Sequence, residues 1–456
     1  MYDKIEEIEQ KYPKLKDIRH KGKKVWAYLR ISYYWESLKP ITSTYGQVSK
    51  KTFYKKLLQT IKNLFYGFDS WFKPYDYLVF SDIEIKDKID EQYIDKSFEK
   101  IIEIIGYEKT LYIESTKSEH FPKNEVMTPN IVSNSPIQVI ILVLSKFTNF
   151  FNRQKITIED LSNIKENTGL NINYNHIIKK FNISVTIYKL LFKIYKPKAI
   201  FVNCYYIRIP VIKAANCLGI KTIEMQHGKI GHSHLAYNIH TYVDKSFYPD
   251  ILLTFGEHDK KILEDNPYNP FDKIVAVGAY SLELIENRPI AKDLLKITKK
   301  YKHTISVSTQ YTVEEKLAIF FRDIARDNKS IAFLLSLRHY DKNYYDKFKM
   351  PDNVYLFKGE YSCYDILKAC DMHLTSYSTC AIEALSFQKK SILMDIDGLA
   401  SSSFGYIKSY NLHIISTQSE FNTIVKSRFK KEENKFYKSN YTENINNFIK
   451  EEILSI

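Results

Sequence analysis

The sequence predicts an α/β protein: two Rossmann-like domains in tandem, facing across a cleft, with a helical N-terminal region. Three observations carry this prediction. A chain of 456 residues is too long for one ordinary core and comfortable for two domains of about 200 residues each. Short β-prone runs alternate with helical spacings from Tyr75 to Ser416, the rhythm of a parallel sheet covered by helices. Between Ser281 and Lys302 a charged, helix-prone stretch carrying Pro289 breaks that rhythm without a strand. The predicted organisation is a first domain over 1–285, whose residues 1–70 are helical, basic and aromatic, a linker over 286–302, a second domain over 303–440 and a closing helix over 441–456.

The elements follow in order. The runs from Lys21 to Arg30 and from Leu64 to Lys73 mix cations with aromatics without a clean period. Most aromatics are buried, so both runs are expected to pack a helical region onto the first domain; any membrane contact is expected here too. Tyr75–Phe80 reads as a strand, Asp95–Ile105 as a helix and Lys109–Glu114 as a strand. Ile137–Leu144 is the most apolar run, far short of the roughly 20 residues that span a bilayer, and reads as a buried helix or strand. The β-α-β rhythm recurs at Ala199–Asn203, Ile209–Leu218 (closed by Gly219) and Lys221–Met225, then at Asp250–Phe255, Glu257–Leu263 and Lys273–Gly278. In the second domain, strands near Thr304–Ser308, Ile331–Leu337, Val354–Phe357, Met372–Thr375, Ser391–Met394 and His413–Ser416 alternate with helices near Val313–Asp327, Ser362–Ala369 and Thr379–Phe387.

Composition narrows the function classes. The net charge of +14 suits an anionic partner, but lysine, isoleucine, asparagine and tyrosine are all abundant while glycine and proline are scarce, a pattern set by base composition as much as by any ligand. No nucleic-acid module or basic-aromatic stripe accompanies the charge, so nucleic acid is not an expected partner. The five cysteines (Cys204, Cys217, Cys363, Cys370, Cys380) are odd in number and lack zinc spacing. A reducing cytoplasmic setting fits them, and no metal or other cofactor is expected. The polar N-terminus has no apolar run of the secretory kind.

In doubly wound sheets ligands bind beyond the carboxyl ends of the strands, which singles out three loops. Gln226-His-Gly-Lys-Ile-Gly-His-Ser-His234 follows the strand that carries Glu224; two glycines, Gly228 and Gly231, suggest a sharp bend or a close approach to a ligand. His227 is the expected general base or sugar contact there, with a turn-satisfied histidine as the alternative, which is the favoured reading for His232 and His234. Ser376-Tyr-Ser-Thr379 ends a strand and opens a helix, where free N–H groups suit a phosphate at Ser376, Ser378 and Thr379, and Glu383 one turn on suits ribose hydroxyls; plain capping is the alternative. Arg338 and His339, at another strand end, are placed to meet the same diphosphate, and Thr309-Gln310 forms the floor of the cleft.

Taken in order from Pro197 to Asp395, these motifs resemble the GT-B superfamily, which includes bacterial glycosyltransferases and the non-hydrolysing UDP-N-acetylglucosamine 2-epimerases. The Gln226-His227-Gly228 loop is similar to one in surface-polysaccharide transferases, and the unit from Ser376 to Asp395 looks like the family's donor-binding segment. The resemblance implies a nucleotide sugar on the second domain and an acceptor glycan, free or lipid-linked, on the first, opposite His227. It implies a glycosyltransferase of capsule, O-antigen or lipooligosaccharide assembly; the expected chemistry is direct transfer with His227 or Glu224 as base, and the expected setting the cytoplasm, with any membrane contact peripheral on the inner membrane. Metal independence and inversion are the simpler expectations. Ser376-Tyr-Ser-Thr379 stands where epimerases carry a glycine-rich loop, and Arg338-His-Tyr340 where relatives often have His-Pro. A CDP-polyol phosphotransferase on the same fold and a non-catalytic nucleotide- or glycan-binding scaffold are the alternatives.

Overall fold

The β-branched and aromatic runs assemble into two all-parallel sheets. A computed structural model describes residues 3–42, 59, 61–89, 91–116, 118–151, 159–231, 234–337, 341–433 and 436–455. It divides into two compact units, Met1–Phe255 with Asp259–Val277 and Thr442–Ile456, and Gly256–His258 with Gly278–Tyr441.

In the first unit, β1 (Tyr77–Asp82), β2 (Thr110–Ser115), β3 (Ile131–Ser133), β4 (Ala199–Val202), β5 (Lys221–Met225), β6 (Ile251–Thr254) and β7 (Lys273–Ala276) form a seven-stranded sheet in the order 7-6-5-4-1-2-3. Every pairing is parallel. The strands bury both faces, which is why they read as apolar runs rather than alternating ones. The strand order reverses between β1 and β4, opening the crevice where doubly wound sheets take ligands.

The N-terminal helices α1 (Asp3–Lys11) and α2 (Trp26–Thr42) are held to this unit by a buried ion pair. Arg30 and Glu9 are 1% and 2% exposed, and Arg30 Nε donates to Glu9 Oε1 at 2.8 Å. The guanidinium also donates to the carbonyls of Leu235 (2.6 Å) and Asn238 (3.2 Å), while Glu9 accepts from Trp26 Nε1 (2.8 Å) and the His240 amide (3.0 Å). Each buried charge is thus paired and hydrogen-bonded. Trp26, Tyr28 and Tyr33 lie in the core, as the expected packing role requires, whereas Phe65, Phe68 and Phe72 in the second aromatic run are exposed.

Between β3 and β4 run the long helices α3 (Ser135–Phe151) and α4 (Tyr174–Tyr195), with a shorter helix over Glu159–Thr168. The apolar run Ile137–Leu144 is helical but not buried throughout. Only the ridge Ile137, Ile141 and Ser145 is covered, while Ile140, Leu142, Val143, Leu144 and Phe147 are exposed. An apolar run says which residues avoid water, but the number of neighbours is set by the fold, and here only one ridge of α3 finds them. Helix α5 (Ile209–Asn216) then leads through Gly219, at φ +69°, into β5.

The second unit repeats the plan with β8 (His303–Val307), β9 (Ile331–Ser336), β10 (Val354–Phe357), β11 (Met372–Thr375), β12 (Lys390–Met394) and β13 (Leu412–Ile415) in the order 10-9-8-11-12-13, all parallel. Its reversal lies between β8 and β11. The amphipathic helix α6 (Glu314–Asp327) packs Leu317, Phe321 and Ile324 into the core of this unit. Ser362 begins α7 (Cys363–Ala369) with a reciprocal capping box to Asp365, and α8 (Cys380–Ser386) follows β11. The stretch expected as a linker holds two short helices, Tyr280–Asn287 and Lys292–Thr298. The closing helix α9 (Tyr441–Glu452) belongs largely to the first unit, where Glu452 accepts from Lys221 (3.2 Å) and Lys273 (2.6 Å).

Arg30→Ala strands the Glu9 carboxylate and two carbonyls in the core. It is expected to lower unfolding free energy by about 3–5 kcal/mol, read from the urea midpoint. A loss under about 1 kcal/mol, the value of an exposed pair, would show that the clamp contributes little.

Candidate active site

The first-unit site is built on the carboxyl ends of β1, β4 and β5. Glu224, on β5, is wholly buried; its Oε1 accepts from the Tyr205 amide at 2.9 Å and from Tyr237 Oη at 2.7 Å. Oε2 has no hydrogen-bond partner among the described residues. Burial raises its pKa to about 8, so the group is largely protonated at neutral pH. A protonated acid with no exposed atom does not deprotonate an acceptor; Glu224 instead anchors Tyr205 and Tyr237 beneath the loop.

Gln226 is equally buried and works as a brace. Its Oε1 accepts from the Phe255 amide at 2.7 Å, and its Nε2 donates to the Gly228 carbonyl at 2.8 Å and to Asp259 Oδ2. In the braced loop His227 Nε2 lies 3.2 Å from Tyr206 Oη, and Nδ1 is buried without a partner among the described residues. Burial, with His234 and Arg208 adding to it, depresses the His227 pKa to about 3, which leaves a neutral imidazole. His234 is lowered to about 4 for the same first reason, and its ring lies 4.9 Å from that of Tyr237 and 5.7 Å from that of Tyr206. His232 lies outside the described residues.

Gly228 does not have a positive φ, so no left-handed bend demands a glycine there. A Cβ at Gly228 would meet nothing within 4 Å, leaving open space beside His227. The Gly231 carbonyl accepts from Asn238 Nδ2 at 2.5 Å and from the His234 amide at 2.9 Å, joining the loop to the segment that Arg30 clamps. Lys229, between the glycines, has its pKa lowered by burial to about 8 despite the neighbouring Asp259.

Several residues of this site carry no motif in the sequence. Asp82 ends β1, and Asn203, Tyr206 and Arg208 follow β4. Arg208 NH2 pairs with Asp82 Oδ2 at 2.9 Å, NH1 donates to the Asn203 carbonyl at 2.8 Å, and Asn203 Nδ2 reaches Ser81 Oγ at 2.9 Å. They flank the reversal of strand order. Applied to the run after Ala199–Asn203, the strand-end rule would have found Tyr206 and Arg208. Pairing with Asp82 needs the β1–β4 adjacency, which spacing does not show.

In the second unit, the reversal between β8 and β11 collects most of the expected donor residues. Gln310 Nε2 donates to Thr375 Oγ1 at 3.1 Å, and Thr375 Oγ1 donates to the Ser308 carbonyl at 2.7 Å, tying the two strand ends. Thr309 sits partly exposed between them. Ser376 is fully buried, and both Ser376 Oγ and Gln310 Oε1 lack partners among the described residues. Thr379 occupies the N-cap of α8 without a side-chain cap bond; Ser378 Oγ takes the Cys380 amide instead, at 3.3 Å. Glu383 Oε1 accepts from Tyr364 Oη at 3.1 Å and Tyr437 Oη at 3.5 Å. Arg338 and His339 lie outside the described residues.

The Glu224 shift has a stability consequence. Unfolded, the carboxyl ionises near 4.5; folded, only near 8. Below the lower value neither state carries charge, and as pH rises toward the upper one the unfolded state is increasingly favoured, by several kcal/mol at about 1.4 kcal/mol per unit. Glu224→Gln keeps an acceptor for Tyr205 and Tyr237 but cannot ionise. Its melting temperature should gain on that of the wild type between about pH 5 and pH 8; a pH-independent difference would place the carboxyl's folded pKa in the ordinary range.

The sequence matches no protein-family model, and no curated protein matches it. Its structure is similar to that of a UDP-GlcNAc 2-epimerase from Methanocaldococcus jannaschii, at 11% identity and a TM-score of 0.50 over 82% of this chain and 99% of that one. It is also similar to a UDP-GlcNAc 2-epimerase from Neisseria meningitidis bound to UDP-GlcNAc, at 12% identity and a TM-score of 0.50 over 83% of this chain and 99% of that one. At these identities the likeness concerns architecture, and with two parallel sheets in Rossmann order the chain has the GT-B fold that its motifs resemble.

Proposed function

We propose that this chain is a glycosyltransferase that moves a sugar from a nucleotide-sugar donor to a growing cell-surface glycan of the capsule, O-antigen or lipooligosaccharide kind. The observation that carries the reading is the unsatisfied polar set at the reversal of the second sheet. Among the described residues, the buried Ser376 Oγ and Gln310 Oε1 have no partner, beside Ser378 and Thr379 at a helix start. Buried polar atoms left open at a strand-order reversal are groups held for a ligand. A fold shared with an epimerase described with UDP-GlcNAc bound makes UDP-sugars the first donors to try.

In this reading the second unit holds the donor, its diphosphate at Ser376, Ser378 and Thr379 and its ribose at Glu383, with Arg338 and His339 adding positive and hydrogen-bonding groups. The first unit supplies the acceptor side. The acceptor hydroxyl attacks the anomeric carbon and passes its proton to a ring nitrogen of His227 as the bond to the nucleotide diphosphate breaks. The leaving charge is taken by the hydroxyls and N–H groups at the start of α8, and no divalent cation is required. One attack from the face opposite the leaving group inverts the anomeric centre. Glu224 and Gln226 position the loop, and the space beside Gly228 admits the sugar.

His227→Ala is expected to lower kcat/KM at least about a hundredfold, within the usual worth of an acid–base group, with the melting temperature kept. Undiminished transfer would remove His227 from the mechanism. Because its pKa is near 3, the wild-type profile of kcat/KM should show no acid limb near the ordinary histidine value of about 6.5. Gly228→Ala adds a methyl group to open space at an ordinary φ. It should leave stability within about 0.5 kcal/mol while raising the KM for acceptor; an unchanged KM would place the acceptor elsewhere. Product analysis separates the rivals. A phosphodiester in the product marks a phosphotransferase, UDP-GlcNAc epimerised without acceptor marks an epimerase, and no thermal shift with any nucleotide marks a scaffold.

A further inference from the structure

Helices α3 and α4 and the turn over Phe68–Phe72 leave a broad apolar surface uncovered on the first unit. On α3, Val143 and Phe147 are 44% and 58% exposed; on α4, Leu190 and Ile194 are 53% and 76%; Phe68 and Phe72 on the turn are 50% and 74%. These segments are one packed body. Gln138 Nε2 on α3 donates to Tyr188 Oη on α4 at 3.1 Å, and Tyr195 Oη at the end of α4 donates to the Trp71 carbonyl of the turn. The Ser133 amide, just before α3, donates to the Tyr66 carbonyl at 3.2 Å, and a Cβ on Gly67 would lie 1.8 Å from the Ile131 carbonyl oxygen, so the turn sits hard against β3. Tyr188 and Phe192 face the core with 3% and 1% exposure. Leu190 and Ile194, two positions from each, therefore face away from it.

The charge around this surface has one dominant sign. No Asp or Glu occurs between Glu125 and Glu159, a span containing all of α3, nor between Glu166 and Glu224, a span containing all of α4. Within the same spans stand Lys146 on α3 and Lys179, Lys180, Lys189 and Lys193 on α4, with Lys146, Lys180 and Lys193 exposed and Lys179 and Lys189 half-buried. Asp69 on the turn is the acidic exception, and Lys123 pairs with it at 2.9 Å. No helix among the described residues is long and apolar enough to cross a membrane.

We infer that this face is a docking surface for an anionic lipid bilayer, with α3 lying in the interface and the lysines of α3 and α4 on the headgroup phosphates. Large apolar side chains left exposed on one packed body mark an interaction surface when a polar or charged rim accompanies them. A partner both apolar within and negative at its surface matches the aliphatic centre and cationic flank together. The inferred surface keeps the Phe68–Phe72 turn of the second basic-aromatic run, where membrane contact is expected, and adds α3 and α4; in the first run Trp26 and Tyr28 are buried. The inference does not depend on glycosyl transfer, and its test uses no nucleotide sugar.

The test is co-sedimentation of the full chain with phosphatidylcholine vesicles, with and without phosphatidylglycerol. The wild type is expected to pellet with the anionic vesicles and to be released by high salt. Val143→Ser with Phe147→Ser, at exposed positions, should keep the melting temperature and weaken partitioning at least about tenfold, because binding in the interface scales with the apolar area buried in lipid. Lys189→Glu with Lys193→Glu should abolish the preference for phosphatidylglycerol. Wild-type protein left in the supernatant, or serine variants that pellet as the wild type does, would overturn the inference. A wild-type dimer that the serine pair makes monomeric, without vesicle binding, would assign the face to a second copy of the chain and equally overturn it.

Discussion

The buried pair of Arg30 and Glu9 is the constraint on which the first unit's site depends. Its four hydrogen bonds beyond the guanidinium–carboxylate contact would be an ordinary means of seating an N-terminal helix, except for where they end. The carbonyls of Leu235 and Asn238 and the amide of His240 belong to the segment just after the Gln226–His234 loop, and Asn238 in turn holds the Gly231 carbonyl. Two helices near the start of the chain thereby set the path of a loop two hundred residues on. The guanidinium keeps its charge because Glu9 offsets what burial removes.

Below that loop the polar groups are arranged by desolvation rather than by opposed charge. Glu224 is neutral, and His227 and His234 are neutral, each because water is excluded. The ion pair of Asp82 with Arg208 stands beside them at the reversal of the sheet. In that setting His227 Nδ1 is buried without a partner among the described residues, and Gln226 stiffens the loop at both ends. The second unit uses another device, one hydroxyl and one amide oxygen left without partners among the described residues at the ends of β8 and β11. Both devices sit at the positions a doubly wound sheet offers for ligands.

Legibility followed sequence distance. Strands such as Lys221–Met225, Val354–Phe357 and Met372–Thr375 are short β-prone runs, and they form with those limits, because a strand of four or five residues is specified by its local run and the turns on either side. The Ser376–Glu383 segment was visible for the same reason: strand, small residues and helix are contiguous. Ile131–Ser133 was not visible, since three residues carry too little pattern to stand apart from a helix start. Nor was the partial exposure of α3, because periodicity records apolar side chains and not their neighbours.

The sequence alone therefore determined the two-domain α/β architecture, the strand-end loops and the His227 and Ser376 neighbourhoods, all of which arise from local hydrophobic pattern and turn chemistry. The tertiary structure alone decided that Glu224 is an interior acid rather than a surface base, that Arg30 rather than a glycine bend holds the central loop, and that Asp82 meets Arg208. It also decided which face of α3 meets solvent. Each of these turns on which residues far apart in the chain share one buried volume, and burial is what sets charge state, hydrogen-bond partner and exposure.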